Sequence, residues 1–163
     1  MKPEVGELLV GAYLKLCMHC GFVDYNVRPP GGGLEGLGEL DVVGLDPDGG
    51  RAYLCEVTTH IRGLLYKSNK ESVSRIRKKH ARQRDYAGKH LRAFQTVFYM
   101  FWSPVVPVGY LTTELPKIEG LELIINGEYK RRVDELLQLA RDTTHDAGND
   151  VFRVFQILEH LRE

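Results

Sequence analysis

The segment "CEVTTH" places Glu56 inside an otherwise apolar stretch, and a little earlier "GELD" supplies Glu39 and Asp41. Carboxylates accept hydrogen bonds and metal ions, but joint chemistry requires that they meet. The intervening turn "DPDGG" determines whether they do. If Pro47 to Gly50 form a hairpin turn, Asp46 faces Arg51, and counting outward sets Asp41 directly opposite Glu56 and Glu39 opposite Thr58. Strand alternation then gathers these four side chains on one face and sends Leu40, Val42, Cys55 and Val57 to the other, so that one face is acidic and the other is core. Like charges facing each other across a ladder repel, and such a placement calls for a cation. Two carboxylates, one backbone carbonyl at Val57 and several retained waters make an oxygen site suited to Mg²⁺ or Mn²⁺.

A second group of candidates is cationic. Eleven of the 22 Lys and Arg residues fall between Arg62 and Arg92, against two acids, Glu71 and Asp85. Arg75, Arg77, Lys78, Lys79, Arg82 and Arg84 point in most directions around one helix with few acids to pair with. A solvated face would mix signs, so phosphate contact centred on "RIRKKHARQR" is the favoured reading, and Arg75, Lys78, Lys79 and Arg82 are the expected contacts. Cys17-x-x-Cys20 with His19 has half the ligands of a zinc site, with core thiols at i and i+3 as the alternative. The glycine-rich "PPGGGLEGLG" lacks the Lys-Ser or Lys-Thr ending of a phosphate-binding loop. It reads as a flap near a substrate or as a long connection.

The elements that must position these residues alternate along the chain. Val5, Leu8, Leu9, Ala12, Leu16 and Cys20 recur at helical spacing, with Gly21 as the stop. "FVDYNVR" is a short strand, and "ELDVVGL" and "RAYLCEVT" are the two arms of the hairpin. Ser68 and Glu71 have capping-box spacing and open a helix expected to run to Gly88. "AFQTVFYMFW" is a buried strand, "LELII" another, and helices over about 127 to 141 and 149 to 162 close the chain. The result is an α/β domain with a central mixed sheet flanked by helices. Residues 1–163 form a single domain, with a core over about 1–112 and a C-terminal strand and helices over about 113–163.

In their order, "GE" at 6 to 7, "YL" at 13 to 14, "GF" at 21 to 22, "NVR" at 26 to 28, "GELD" at 38 to 41 and "EVTT" at 56 to 59 resemble the PD-(D/E)XK nuclease core. That superfamily includes restriction enzymes and archaeal Holliday-junction resolvases, and the likeness is greatest to its YraN-like endonuclease group. The resemblance implies a restriction-endonuclease-like αβββαβ core in which Asp41 and Glu56 hold the metal and Glu7 assists. Thr58 stands where the family has its catalytic lysine. Such an ammonium orients the attacking water and offsets charge on the phosphate, and a hydroxyl supplies no charge. Arg62 and Lys70, just beyond the strand, are the expected substitutes. Gln83 and Tyr86 resemble the Gln-Tyr motif of the RecB-like branch, with spacing one residue short, which adds Gln83 to the nucleic-acid contacts.

These readings converge on a Mg²⁺-dependent or Mn²⁺-dependent endonuclease acting on DNA. A catalytically silent nucleic-acid-binding module of the same fold is the alternative, and RNA as substrate stays open. Composition adds bounds. At 163 residues, 43% hydrophobic and 27% charged, the chain has enough apolar content for one core. A net charge of +0 signals no partner by itself; the asymmetry does. Three cysteines make no disulfide framework, and Glu4 and Glu7 interrupt any leader-like start, so a cytoplasmic protein without a membrane segment is expected. Small nucleases of this fold often pair to cut two strands, which leaves a homodimer open.

Overall fold

The computed structural model describes residues 2–31, 38–63 and 66–162. The glycine-rich connection falls largely on residues 32–37, outside the described residues. In chain order the elements are α1 (Val5–Leu16), β1 (Phe22–Val27), β2 (Leu40–Asp46), β3 (Arg51–Val57), α2 (Asn69–His90), β4 (Thr96–Ser103), α3 (Tyr110–Glu114), a 3-10 turn (Leu115–Lys117), β5 (Leu121–Ile125), α4 (Gly127–Asp142) and α5 (Asp150–His160). The strands form one mixed sheet in the order β1-β2-β3-β4-β5. Its first three strands are antiparallel neighbours, and β3, β4 and β5 run parallel. The chain is therefore an α/β protein with a central mixed sheet flanked by helices.

The hairpin has the expected register. β2 and β3 pair as Asp46 with Arg51, Leu45 with Ala52, Gly44 with Tyr53, Val43 with Leu54 and Val42 with Cys55. The ladder ends at Val42 and Cys55, with Asp41 and Glu56 next along the two strands. The Asp46 carboxylate accepts from the Gly49 amide at 3.0 Å and takes Arg51 Nη2 at 2.9 Å, so the turn is closed from both ends. Gly50 adopts φ +65 there, a conformation that a side chain would strain.

Both faces of the sheet are covered, which corrects the expected division into an acidic face and a core face. On one side Val42, Tyr53, Cys55 and Trp102 pack with Val10, Tyr13, Leu14, Leu136 and Phe152 beneath α1, α4 and α5. On the other, Val43, Ala52 and Leu54 pack with Ala87 and Leu91 of α2, and Phe101 packs with Val73 and Ile76. Leu40 joins this second side, although alternation assigns it to the first. Asp41 and Glu56 thus lie at one end of an otherwise apolar, helix-covered surface.

Helix boundaries differ from expectation where tertiary contacts decide them. α1 ends at Leu16 rather than near Cys20, and His19 takes the left-handed conformation that turns the chain into β1. Ser68 caps α2 by accepting from the Glu71 amide at 3.2 Å, and that helix runs past Gly88 to His90. α3 and the 3-10 turn are too short to leave a periodic signal in the sequence. α4 is tied to the rest through Arg132, whose guanidinium donates to Glu128, Glu122 and the Tyr13 hydroxyl. Asn149 caps α5 at the Phe152 amide and donates to the Leu8 carbonyl of α1 at 3.0 Å.

Candidate active site

The β2–β3 register brings the two carboxylates to the end of the ladder. Asp41 Oδ2 accepts from the Val57 amide at 2.8 Å, which pins it across the strand pair. Glu56 is only 4% exposed. Burial raises its carboxyl pKa to about 8, helped by the neighbouring Asp41 charge and a hydrogen bond with Asp41, and opposed by Lys79. Burial, with Asp41 alongside, makes Glu56 difficult to ionise.

The cation beside the pair comes from α2. Lys79 Nζ lies 2.7 Å from Glu56 Oε2. Burial works to lower the lysine pKa, but Glu56 and Asp41 more than offset it, and the net shift is upward. The sequence places Lys79 among the phosphate contacts, and the structure pairs it with Glu56 while leaving it part-exposed in the α2 groove. Arg62 and Lys70, the expected substitutes, are exposed, and no described ion pair joins either to Asp41 or Glu56. Arg62 precedes α2 and Lys70 lies in its first turn, whereas Lys79 lies more than two turns further along the helix.

Docking of α2 explains why Lys79 and not a neighbour reaches the acids. Val73, Ile76, His80, Gln83 and Ala87 form its buried face. Lys79 is one turn from both Ile76 and Gln83 and lies at the margin of that face. Gln83 is fully buried and donates to the Leu54 carbonyl at 3.0 Å and the Met100 carbonyl at 3.2 Å. This corrects its assignment as a nucleic-acid contact: it is an anchor between α2 and the sheet. His80 extends the anchor, with Nε2 3.0 Å from the Glu119 carbonyl.

Glu7 enters from the first turn of α1 and is 8% exposed. Burial raises its pKa, the Glu4 amide that it accepts from at 3.0 Å opposes the rise, and the charges of Asp41, Glu4 and Glu39 add to it. The approach of α1 depends on Gly6, where a Cβ would lie 2.0 Å from Thr59 Cγ2 and 3.4 Å from Val57 Cγ1. Glu39 reaches Arg28 at 3.9 Å, and its Oε1 is buried without a hydrogen-bond partner among the described residues. Thr58 is buried and donates to Ser103 Oγ at 2.8 Å, so its hydroxyl joins β3 to β4 at the edge of the site.

No group of three or more His, Cys, Asp and Glu side chains among the described residues is arranged to hold a metal ion. Two carboxylates are nevertheless sufficient for Mg²⁺, which keeps several waters and takes the rest of its shell from phosphate. Burial holds the Glu56 carboxyl above its ordinary value beside Asp41, and Oε1 of Glu39 is a buried carboxylate oxygen with no hydrogen-bond partner among the described residues. Cys17 and Cys20 lie at the other side of the sheet, where burial pushes their thiols up to about 11 and about 12.

The rest of the basic helix forms a groove. Arg75, Lys78, Lys79 and Arg82 line an open depression of about 340 Å³. Arg82 also lines a second of about 350 Å³ with Pro29, Gly38, Tyr86, Lys89 and His90. The Arg75 guanidinium lies 4.8 Å over the Tyr66 ring. Positive charge is therefore concentrated at Arg75, Lys78, Lys79 and Arg82, while Asp85, paired with Lys89 at 2.9 Å, shares the second depression. No family model, no curated protein and no solved structure matches the chain.

The acid pair leaves a signature in stability. The folded-state pKa of Glu56 lies above its ordinary value of 4.5, so the fold favours the protonated form. The stability it contributes is full below about pH 4.5 and is lost as pH rises through about 8. Lys79, shifted upward, keeps its proton throughout this window. Metal-free protein is expected to melt at progressively lower temperature from about pH 5 to about pH 8, and Glu56→Gln, which cannot ionise, to fall less over the same range. Thermal melts in a chelator at stepped pH check this, and parallel curves for the two proteins would contradict it.

Proposed function

We propose that the chain is a metal-dependent nuclease that hydrolyses phosphodiester bonds in DNA, with Asp41, Glu56 and Lys79 at its centre. The observation that carries this reading is the ammonium of Lys79 at 2.7 Å from a buried carboxylate that faces a second one. A cation delivered from α2 supplies what Thr58 lacks at the position where the resembled family has its lysine. The αβββ run from α1 to β3, followed by α2 and β4, supports the same reading through its element order.

In this scheme Asp41 and Glu56 would hold Mg²⁺ or Mn²⁺, with the Val57 carbonyl as a further oxygen, and the nearby Glu7 would add negative field. The ion when bound lowers the pKa of a water and polarises the phosphate. Lys79, whose ammonium lies 2.7 Å from Glu56, would offset the charge that builds on a phosphate held at the pair. Arg75, Lys78 and Arg82 grip the backbone along α2, independent of sequence.

One observation favours a second reading. The same ion pair lets Lys79 neutralise Glu56 with no metal at all, as suits a catalytically silent module that binds nucleic acid through α2. Single-turnover cleavage separates the two. On the enzyme reading, Lys79→Ala slows Mn²⁺-supported cutting by roughly 10²–10³-fold with little change in DNA affinity, the size of effect expected for losing one preorganised donor. Arg62→Ala and Lys70→Ala stay near the wild-type rate. Wild-type protein that binds but never cuts would favour the silent module.

Removing one side chain that pairs with a phosphate should lower the slope of log affinity against log salt by about one. Arg75→Ala, Lys78→Ala and Arg82→Ala combined are therefore expected to flatten that slope by about three and to weaken all sequences alike. An unchanged slope would place these side chains in solvent only.

A further inference from the structure

Past Arg82 the basic helix changes character. The depression lined by Arg75, Lys78, Lys79 and Arg82 is walled by cations alone. The neighbouring one, of about 350 Å³, shares Arg82 with it but is otherwise lined on the α2 side by Ala81, Asp85, Tyr86, Lys89 and His90. Tyr86 is half-buried against the core cluster that holds Leu54 and Ala87, and its ring centroid lies 4.8 Å from that of His90. Lys89 is paired with Asp85 at 2.9 Å. Asp24 of β1 is also near, since its charge adds to burial in holding the Tyr86 phenol above its ordinary pKa. With Asp85 in its wall and Asp24 beside it, this second depression disfavours a phosphate, whereas two rings and the Ala81 methyl suit a flat, uncharged, aromatic group. The cationic and the aromatic depression meet at Arg82, one helical turn from Tyr86.

We propose that the second depression takes an unpaired nucleobase from a strand whose phosphates lie along Arg75, Lys78 and Arg82, so that the substrate class is single-stranded or flapped nucleic acid. The inference rests on the nucleic-acid reading of α2 given above and names the form of its ligand. Nucleic acid is the polymer that alternates charged phosphates with flat uncharged rings, and a cationic groove continuous with an aromatic one matches that alternation. In a duplex the base faces are stacked on one another and closed to a side chain on a helix surface. Only a base without its partner, or one turned out of the stack, enters such a depression. Stacking on an aromatic side chain is tolerant of base identity, because every base has a π-face. The depression therefore selects strandedness rather than sequence, in keeping with phosphate contacts that carry no sequence information.

Fluorescence anisotropy of the full chain in a chelator tests it, so that binding is read apart from cutting. The probes are an end-labelled oligothymidylate of about 12 nucleotides and an abasic strand with the same number of phosphates. The wild type is expected to bind the base-bearing strand about 10-fold more tightly, with the same salt slope for both. Tyr86→Leu keeps an apolar side chain against the core and removes the ring, and should erase most of that preference while leaving affinity for the abasic strand unchanged. His90→Ala, at an exposed position, should reduce the preference in the same direction without touching the core. Circular dichroism checks that both variants stay folded. Arg75→Ala, in the cationic depression, should weaken both strands alike. Equal binding of the two strands by the wild type would overturn the base site while leaving the phosphate contacts of α2 in place. A preference that survives both ring variants would overturn it as well, since the base would then sit elsewhere. Binding of neither strand would remove the nucleic-acid reading itself and the base site with it.

Discussion

Two carboxylates held side by side at the end of a β-ladder, one buried and one half-buried, are the constraint on which the rest of the site depends. Neither acid can move away from the other. Asp41 is fixed by the Val57 amide, and Glu56 is buried beneath α2. Glu56 is costly to ionise in this setting, and a proton, an ammonium or a metal ion has to offset its charge. Lys79 supplies part of that offset, and its placement depends in turn on the anchoring of α2 by Gln83 and His80.

The hairpin is legible in the sequence because its information is local. Turn residues fix the register, and a period of two assigns the faces. Cross-strand pairing from Asp46–Arg51 to Val42–Cys55 follows directly from "DPDGG". The element order is legible for a similar reason, since each long element carries its own period. What the sequence does not show is which side of α2 meets the sheet. The run "RIRKKHARQR" is charged in most directions, so Lys79 resembles its neighbours until the helix docks. A signal is present: Val73, Ile76, Gln83 and Ala87 mark one side of the helix, and Lys79 stands at its margin. Gln83 is easily misread because a buried amide that binds sheet carbonyls and a surface amide that reads nucleic acid have the same letter. Closeness along the chain favours Arg62 and Lys70, and it is a poor guide where the chain leaves the sheet.

The two sides of the sheet have different characters. The α2 side is polar at its end and basic along its length, with Arg75, Lys78 and Arg82 exposed and a groove continuing toward His90. The α1, α4 and α5 side is stabilised by an apolar core and by Arg132, which donates to the Tyr13 hydroxyl and to two glutamates. Its outermost helix inverts the usual rule by burying Glu159 and exposing leucines. The spacing of that stripe is visible in the sequence, but its direction is not. An apolar stripe on a terminal helix ordinarily faces the core, and only the packing shows that Phe152, Gln156 and Glu159 hold that place.

The most direct test of the central claim, that the acid pair is a cation site, is calorimetric titration of Mn²⁺ into the wild type and into Asp41→Asn at neutral pH. Glu56, raised to about 8, holds a proton at neutral pH that Mn²⁺ binding would displace, so the measured heat should vary with the ionisation enthalpy of the buffer. One saturable, proton-releasing event in the wild type and none in the variant is the predicted result. Equal Mn²⁺ binding by both proteins, or none by either, would contradict the account.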